Sequence, residues 1–354
     1  MNPKISENTL FIDACLKKPV ERTPVWIMRQ AGRYLPQYQA IRRNHDFMSM
    51  YKTPELAAEV TLQPVDVIGV DAAIIFSDIL VVPEAMGMEL QFVEGRGPVF
   101  PRPLREEAQV DKLLPVKAVE QLSFVMDAIA LSRKNLAGRA PLIGFSGAPW
   151  TLATYMIEGS GSKNFTHIKQ WRFARPELLH RLLDKITDAV IDYCRAQMAA
   201  DAQAIQLFDS WAGILDEEGF TRFALPYARR IFQAIWEPEV PLIYFAKGAG
   251  GWLHHLRECG AQVIGLDWTV DLHRARQVLG NATVIQGNLD PTALYAPPET
   301  IRRLVRDMLT TAGQNPRHVA NLGHGILPDI PVEHAREFVN AVKEESPRFH
   351  IRGL

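Results

Sequence analysis

Pro24-Val25-Trp26-Ile27-Met28-Arg29-Gln30-Ala31-Gly32-Arg33 changes character in one step. The apolar run ends at Met28 and gives way, with no polar buffer, to Arg29, Gln30, Gly32 and Arg33; Arg42 and Arg43 follow closely. A short apolar run bounded by proline and glycine predicts a buried strand. A guanidinium placed where such a strand ends needs an anionic partner. Its planar fork of donors suits carboxylates and phosphates. Two partners are open: a neighbouring Asp or Glu in a structural ion pair, or a ligand carrying more than one negative charge.

The same pattern recurs along the chain. Asp71-Ala72-Ala73-Ile74-Ile75-Phe76-Ser77-Asp78 ends in an acid, and Pro141-Leu142-Ile143-Gly144-Phe145-Ser146-Gly147 ends in small polar residues. Ala204 to Ser210 closes on Asp209 and Ser210, Pro241 to Lys247 on a lysine, and Val263 to Asp267 on an acid. Thr283 to Asn288 ends in amides, and His318 to Gly325 ends in the glycine-flanked His324. Helical spacing separates these runs, at Thr9 to Lys17, Pro54 to Val67, Pro115 to Leu136 and, most clearly, Pro176 to Ala200. Val82 to Leu104, rich in Pro and Gly, reads as a loop or hairpin excursion. Eight near-continuous apolar strands alternating with helices predict an α/β fold with an all-parallel sheet covered on both faces. That count favours a single-domain (β/α)8 TIM-type barrel over residues 1–354, with its active site at the C-terminal ends of the strands. An open doubly wound sheet is the alternative, but the first strand has no GxGxxG turn.

Composition narrows the function. Among 354 residues, 39 Lys and Arg face 40 Asp and Glu, a net charge of -1. Such a balance argues against a general nucleic-acid or membrane-surface binder, so any cationic site is local. Three distant cysteines, Cys15, Cys194 and Cys259, form no CxxC or HxC pattern, which predicts neither a disulfide framework nor a cysteine zinc site. With no signal-peptide core at the N-terminus and no membrane-length apolar run, a soluble cytoplasmic protein is expected.

Projected onto one barrel mouth, the strand ends bring together Arg29, Gln30, Arg33, Asp78, Ser146, Asp209, Ser210, Asp267 and His324. Arginines around a lone acid suit a polyanionic ligand with a cationic or N–H-bearing centre. Other motifs carry less. His254-His255 and His273 lack the spacing to acids or cysteines of a metal site. Lys247-Gly248-Ala249-Gly250-Gly251 has no GKS or GKT. Around Ser146 there is no Gly-x-Ser-x-Gly elbow, which excludes that serine hydrolase pattern.

Residues 24–36, Pro-Val-Trp-Ile-Met-Arg-Gln-Ala-Gly-Arg-Tyr-Leu-Pro, and 144–152, Gly-Phe-Ser-Gly-Ala-Pro-Trp-Thr-Leu, resemble the two signature segments of the uroporphyrinogen decarboxylase family. Phe-Asp-Ser-Trp-Ala-Gly at 208–213 and Asn-Leu-Gly-His-Gly at 321–325 resemble further family segments in the expected order. The resemblance implies a (β/α)8 barrel, usually a homodimer, that needs no metal or organic cofactor. It would convert uroporphyrinogen to coproporphyrinogen by removing the carboxyl groups of four acetate side chains in haem synthesis. By motif position it implies substrate contacts at Arg29, Gln30, Arg33, Arg42, Asp78, Tyr155, Ser210 and His324. Catalytic roles fall on Asp78, Arg29, His324 and Tyr155. Two alternatives come from other classes: a corrinoid-dependent methyltransferase of the same superfamily, which would bind zinc through cysteines, and a tetrapyrrole carrier without turnover.

Overall fold

The computed structural model describes residues 7–314 and 316–350. Its main sheet is all-parallel and seven-stranded: β1 (Ala73–Ile74), β4 (Leu142–Gly147), β5 (Ala204–Asp209), β6 (Leu242–Ala246), β7 (Val263–Gly265), β8 (Val284–Gln286) and β9 (His318–Val319), neighbours in that order. Between β1 and β4 lies the excursion, with a short helix (Val81–Ala85) and an antiparallel hairpin of β2 (Gln91–Val93) and β3 (Gly97–Val99).

The predicted eighth strand is present only as a bridge. Val25 pairs in parallel with Ala320, beside β9, and its carbonyl accepts the N–H of Asp71, just ahead of β1. The segment thus touches both edges of the sheet. Beyond Val25 a side chain takes over the pairing, because Met28 N–H donates to Asn321 Oδ1 (2.9 Å). A second observation shows that the sheet curls into a barrel. Trp26 Nε1 donates to Gln286 Oε1 (2.9 Å), and Gln286 Nε2 donates to Gln206 Oε1 (3.0 Å), all three residues fully buried. Gln286 on β8 and Gln206 on β5 have two strands between them, so their side chains meet only across a closed interior.

Helices cover the outside. Pro54–Val67 and Pro176–Ala199 form close to where their spacing predicts, each with Pro at its first turn. The predicted helix over 115–136 is broken into Ala118–Gln121 and Ser123–Leu136, because Leu122 leaves helical geometry (φ -121°, ψ 26°). The first helix is shorter than predicted, Leu10–Cys15. Among the described residues no helix is long and apolar enough to cross a membrane.

Candidate active site at the barrel mouth

Successive strand residues point to opposite faces, and this alternation sorts the strand-end candidates. On β5, Gln206 points into the barrel, so Phe208 and Ser210 do as well, while Asp209 points out. Asp209 is buried beneath the helix Pro149–Glu158, where it accepts Thr151 Oγ1 (2.6 Å) and Tyr244 OH (2.8 Å). On β4, Phe145 lines the cavity and the neighbouring Ser146 does not; Ser146 is buried with its hydroxyl on Gly147 O (3.2 Å). Asp267 is committed to loop backbone, accepting Thr269 N–H (2.8 Å) and Gly248 N–H. Ser146, Asp209 and Asp267 therefore leave the projected set. Arg29, Gln30, Arg33, Asp78, Ser210 and His324 remain, all on the wall of one cavity of about 410 Å³.

Arg29 turns the chain at the end of the first barrel segment with φ +60°, a left-handed conformation uncommon for a residue with a side chain. Its stem runs against Gly325. A Cβ at Gly325 would collide with Arg29 Cδ and fall 2.7 Å from Cγ and 3.0 Å from Nε. Gly323 serves a second close approach, since a Cβ there would lie 2.8 Å from Trp268 Cα. The glycines either side of His324 thus bring two other elements against this strand end. Gln30 is fully buried, and its amide holds backbone: Oε1 accepts Ile27 N–H (3.1 Å) and Nε2 donates to Ala72 O (3.0 Å).

Among the described residues neither Arg29 nor Arg33 has a carboxylate within 4.0 Å. Asp78 is unpaired as well; Oδ1 accepts the N–H of Leu80 (2.8 Å), which closes a turn. Burial pushes the Asp78 carboxyl up to about 6, against the opposing pull of the Leu80 N–H and the Arg29 charge. His324 moves the other way. Burial, with Arg29 and Lys247 nearby, lowers it to about 3, so its imidazole is neutral at ordinary pH. Lys247 itself sits 5.4 Å from the ring centre of Trp268, within cation–π range.

Two residues implied by the resemblance lie off the cavity wall. Arg42 is exposed at the end of the helix Pro36–Arg42 and donates to His45 O (2.8 Å). Tyr155 packs on Trp211 with ring centres 5.8 Å apart. Burial raises its phenol, and the charges of Asp78 and Arg29 also act on it, which places it just behind the wall. The strand-end pattern did not reveal the apolar lining. Phe145 and Phe208 pack edge-to-face (5.6 Å), and Phe47, Phe76 and Tyr38 form another aromatic cluster. Phe145 and Phe208 follow from alternation once the inward register is known. Phe47 and Tyr38 come from helices between strands and carry no such signal. The result is an apolar bowl with a cationic rim and one interior acid.

The sequence model of the family described as Uroporphyrinogen decarboxylase (URO-D) matches residues 6–345. A protein named uroporphyrinogen decarboxylase from Geobacter metallireducens is 51% identical over 341 residues, covering 96% of this chain and all of its own length. Its namesake from Chloroherpeton thalassium is 49% identical over 349 residues, covering 97% and 99%. Among solved structures, a methyltransferase from Methanosarcina mazei superposes with a TM-score of 0.82 at 22% identity, covering 95% of this chain and 98% of its own, a likeness of fold. The chain belongs to the uroporphyrinogen decarboxylase family.

Proposed function

We propose that this chain, acting as one catalytic domain, is a carboxy-lyase that removes carbon dioxide from the four acetate side chains of uroporphyrinogen, giving coproporphyrinogen. One observation carries the reading beyond family membership. Among the described residues, Arg29 and Arg33 stand on the cavity wall without a protein carboxylate, around a single acid of the lining. The substrate has eight carboxylates and four pyrrole N–H groups. Its carboxylates meet the rim arginines, and its N–H groups meet Asp78.

The substrate carries its own electron sink. Protonation of a pyrrole α-carbon makes a ring cation, and cleavage of the acetate C–C bond releases carbon dioxide and sends the bonding pair into that ring. A second proton then converts the exocyclic methylene to methyl, and the first leaves the α-carbon. The chain's share is positioning and electrostatics. Near neutral pH most of Asp78 is carboxylate, and an adjacent cation draws its pKa down, so it opposes the charge that develops. His324, being neutral, serves as a hydrogen-bonding group and not as a store of imidazolium. Gln30 acts by fixing the arginine turn to the backbone of Ile27 and Ala72.

The methyltransferase reading requires accessible thiolates. Cys15, Cys194 and Cys259 are all buried, none lines the cavity, and burial pushes Cys259 up to about 12. A homodimer and a cytoplasmic location come with the family resemblance; sedimentation of the purified chain checks the first. The function itself is tested by incubating purified protein with uroporphyrinogen and counting product carboxyl groups by chromatography. Loss of four is expected. Tight binding with all eight retained overturns the reading in favour of a carrier.

A further inference from the structure

The loops after β5 and β6 bring together three side chains that lie outside the cavity. Glu217 opens the helix Glu217–Phe223, whose start is fixed by Asp216 accepting Gly219 N–H (2.7 Å) and Arg172 Nη2 (2.6 Å). His254 and His255 occupy the short helix Leu253–Leu256. Glu217 Oε1 lies 3.1 Å from His254 Nε2 and 3.0 Å from His255 Nε2, and the three ligand atoms are within 4.8 Å of one another. Behind them His255 Nδ1 lies 2.8 Å from Glu258 Oε1. Glu258 is held in turn by Arg229, through Nη2 on Oε2 (3.0 Å) and Nε on its backbone carbonyl (2.6 Å).

His255 faces a carboxylate oxygen from each ring nitrogen. An imidazolium donates to both, whereas a neutral ring with its one N–H on Nδ1 for Glu258 turns the Nε2 lone pair toward Glu217 Oε1 and leaves it for a cation. The arrangement is then that of a metal-bound histidine whose second nitrogen donates to an anchored carboxylate. Two imidazole nitrogens and one carboxylate oxygen, with a side open to water, suit zinc, whereas calcium and magnesium take oxygen ligands. A tetrahedral edge at zinc bond lengths spans about 3.4 Å, so the exposed Glu217 needs to retreat by only a few tenths of an ångström.

We propose that Glu217, His254 and His255 form a surface site for a divalent transition-metal ion, zinc by donor set, which clips the loop after β5 to the helix after β6. The two loops already abut, since a Cβ on Gly213 would lie 2.8 Å from Gly248 Cα. The first loop also carries Ser210 of the cavity wall. The site stands on geometry independent of the decarboxylase reading, and neither depends on the other.

Tag-free protein, stripped with a chelator and dialysed at about pH 8, where protons compete little with a metal for its ligands, is titrated with zinc chloride in a calorimeter. One site per chain is expected, with a Kd of about 1–10 µM for three exposed ligands. About 100 µM zinc should raise Tm by roughly 2–4 °C. The double variant His254→Ala/His255→Ala and the single variant Glu217→Gln should lose the site and the Tm shift. Glu258→Gln should weaken binding about tenfold or more by freeing the His255 ring, while His273→Ala leaves it unchanged. Melting without zinc separates folding defects from lost binding; should the double variant fold poorly, Glu217→Gln and Glu258→Gln carry the test. No stoichiometric binding below about 100 µM zinc, or wild-type affinity in well-folded Glu217→Gln, overturns the proposal.

Discussion

Arginines stand at both ends of the first barrel segment, and they meet opposite fates. Below it, Arg22 grips Asp71 through two bonds of 2.7 Å, and the same carboxylate accepts Val25 N–H at 2.9 Å. That pair, with Asp71 3% exposed, ties the bridging segment to the start of β1. A few residues further on, Arg29 and Arg33 reach the mouth and, among the described residues, find no carboxylate. One residue type on one segment thus serves both as a fastening and as a free cation. What differs is whether the protein supplies the anion. An arginine kept unpaired beside an acid that is also unpaired marks where a ligand has to complete the electrostatics.

The sharpest way to break this contrast is Asp78→Asn. Asn keeps an acceptor for Leu80 N–H and removes the charge. A preorganised charge facing developing charge is worth ~3–4 kcal/mol, so kcat should fall roughly a hundredfold to a thousandfold. Stability should move the other way. The folded pKa, about 6, lies above the ordinary carboxyl value of 3.8. The native state therefore holds its proton longer than the unfolded chain, and stability falls as pH rises from about 4 to about 6. The charged form then costs up to ~3 kcal/mol at pH 7.5. Asp78→Asn should resist denaturant at least as well as wild type there. Wild-type kcat, or marked destabilisation, would mean that Asp78 belongs with Asp71 as a structural acid.

Arg22→Ala tests the lower end and should give the reverse pattern. Asp71 would be left buried, with, among the described residues, only Lys343 Nζ at 3.6 Å for charge compensation. Breaking a buried pair from one side costs about 3 kcal/mol or more. Denaturant midpoints should therefore drop while kcat/KM of the remaining folded enzyme holds. A selective loss of kcat/KM with normal stability would erase the distinction between the two ends.

This contrast could be read only halfway from the sequence. Strand-to-arginine succession locates the mouth, because hydrophobic runs define strands and barrel strands end on one face. The inward register is not contained in those runs. Asp209 and Ser210 are adjacent at a strand end, and which of them enters the cavity depends on Gln206 pointing inward to Gln286. The segment at Val25 reads as a full strand, yet it pairs by one bridge, since Asn321 and Gln30 side chains replace the backbone ladder. The association of Glu217 with His255 joins residues 38 apart on different loops, beyond any spacing rule. Glycines in Asn-Leu-Gly-His-Gly signal close approach, but not that Arg29 and Trp268 are what approach.

Gly325→Ala sharpens the contrast without touching a charge. The new methyl would occupy the space of the Arg29 stem, 2.7 Å from Cγ. The guanidinium then has to swing away from the cavity while its chemistry stays intact. A displacement of this order costs about tenfold to a hundredfold in kcat/KM. Stability should change by less than about 1 kcal/mol, because among the described residues Arg29 makes no ion pair that holds the fold. Unchanged kinetics would show that the position of the Arg29 stem does not matter to turnover.

Arg33→Lys has the smallest expected effect and asks the narrowest question: whether the rim needs a fork of donors or only a charge. Arg33 is exposed on the cavity wall, and its own backbone carbonyl is held by Gln39 Nε2 (2.6 Å), so the loop stays in place whatever the side chain. Lysine keeps the positive charge but presents a single, strongly hydrated point of contact where arginine offers two parallel N–H donors. On the proposed reading a substrate carboxylate is held at this rim throughout the reaction, equally in the ground and transition states. Loss of such uniform binding raises KM and leaves kcat nearly unchanged. With the rim open to water, the loss should be about 1 kcal/mol, or roughly fivefold in KM. It should grow as salt is lowered and shrink as salt screens the charge. Melting should be unaffected. A fall in kcat with constant KM would instead mean that Arg33 contacts the reacting acetate. Unaltered kinetics with a lower Tm would put Arg33 with Arg22, among the fastenings.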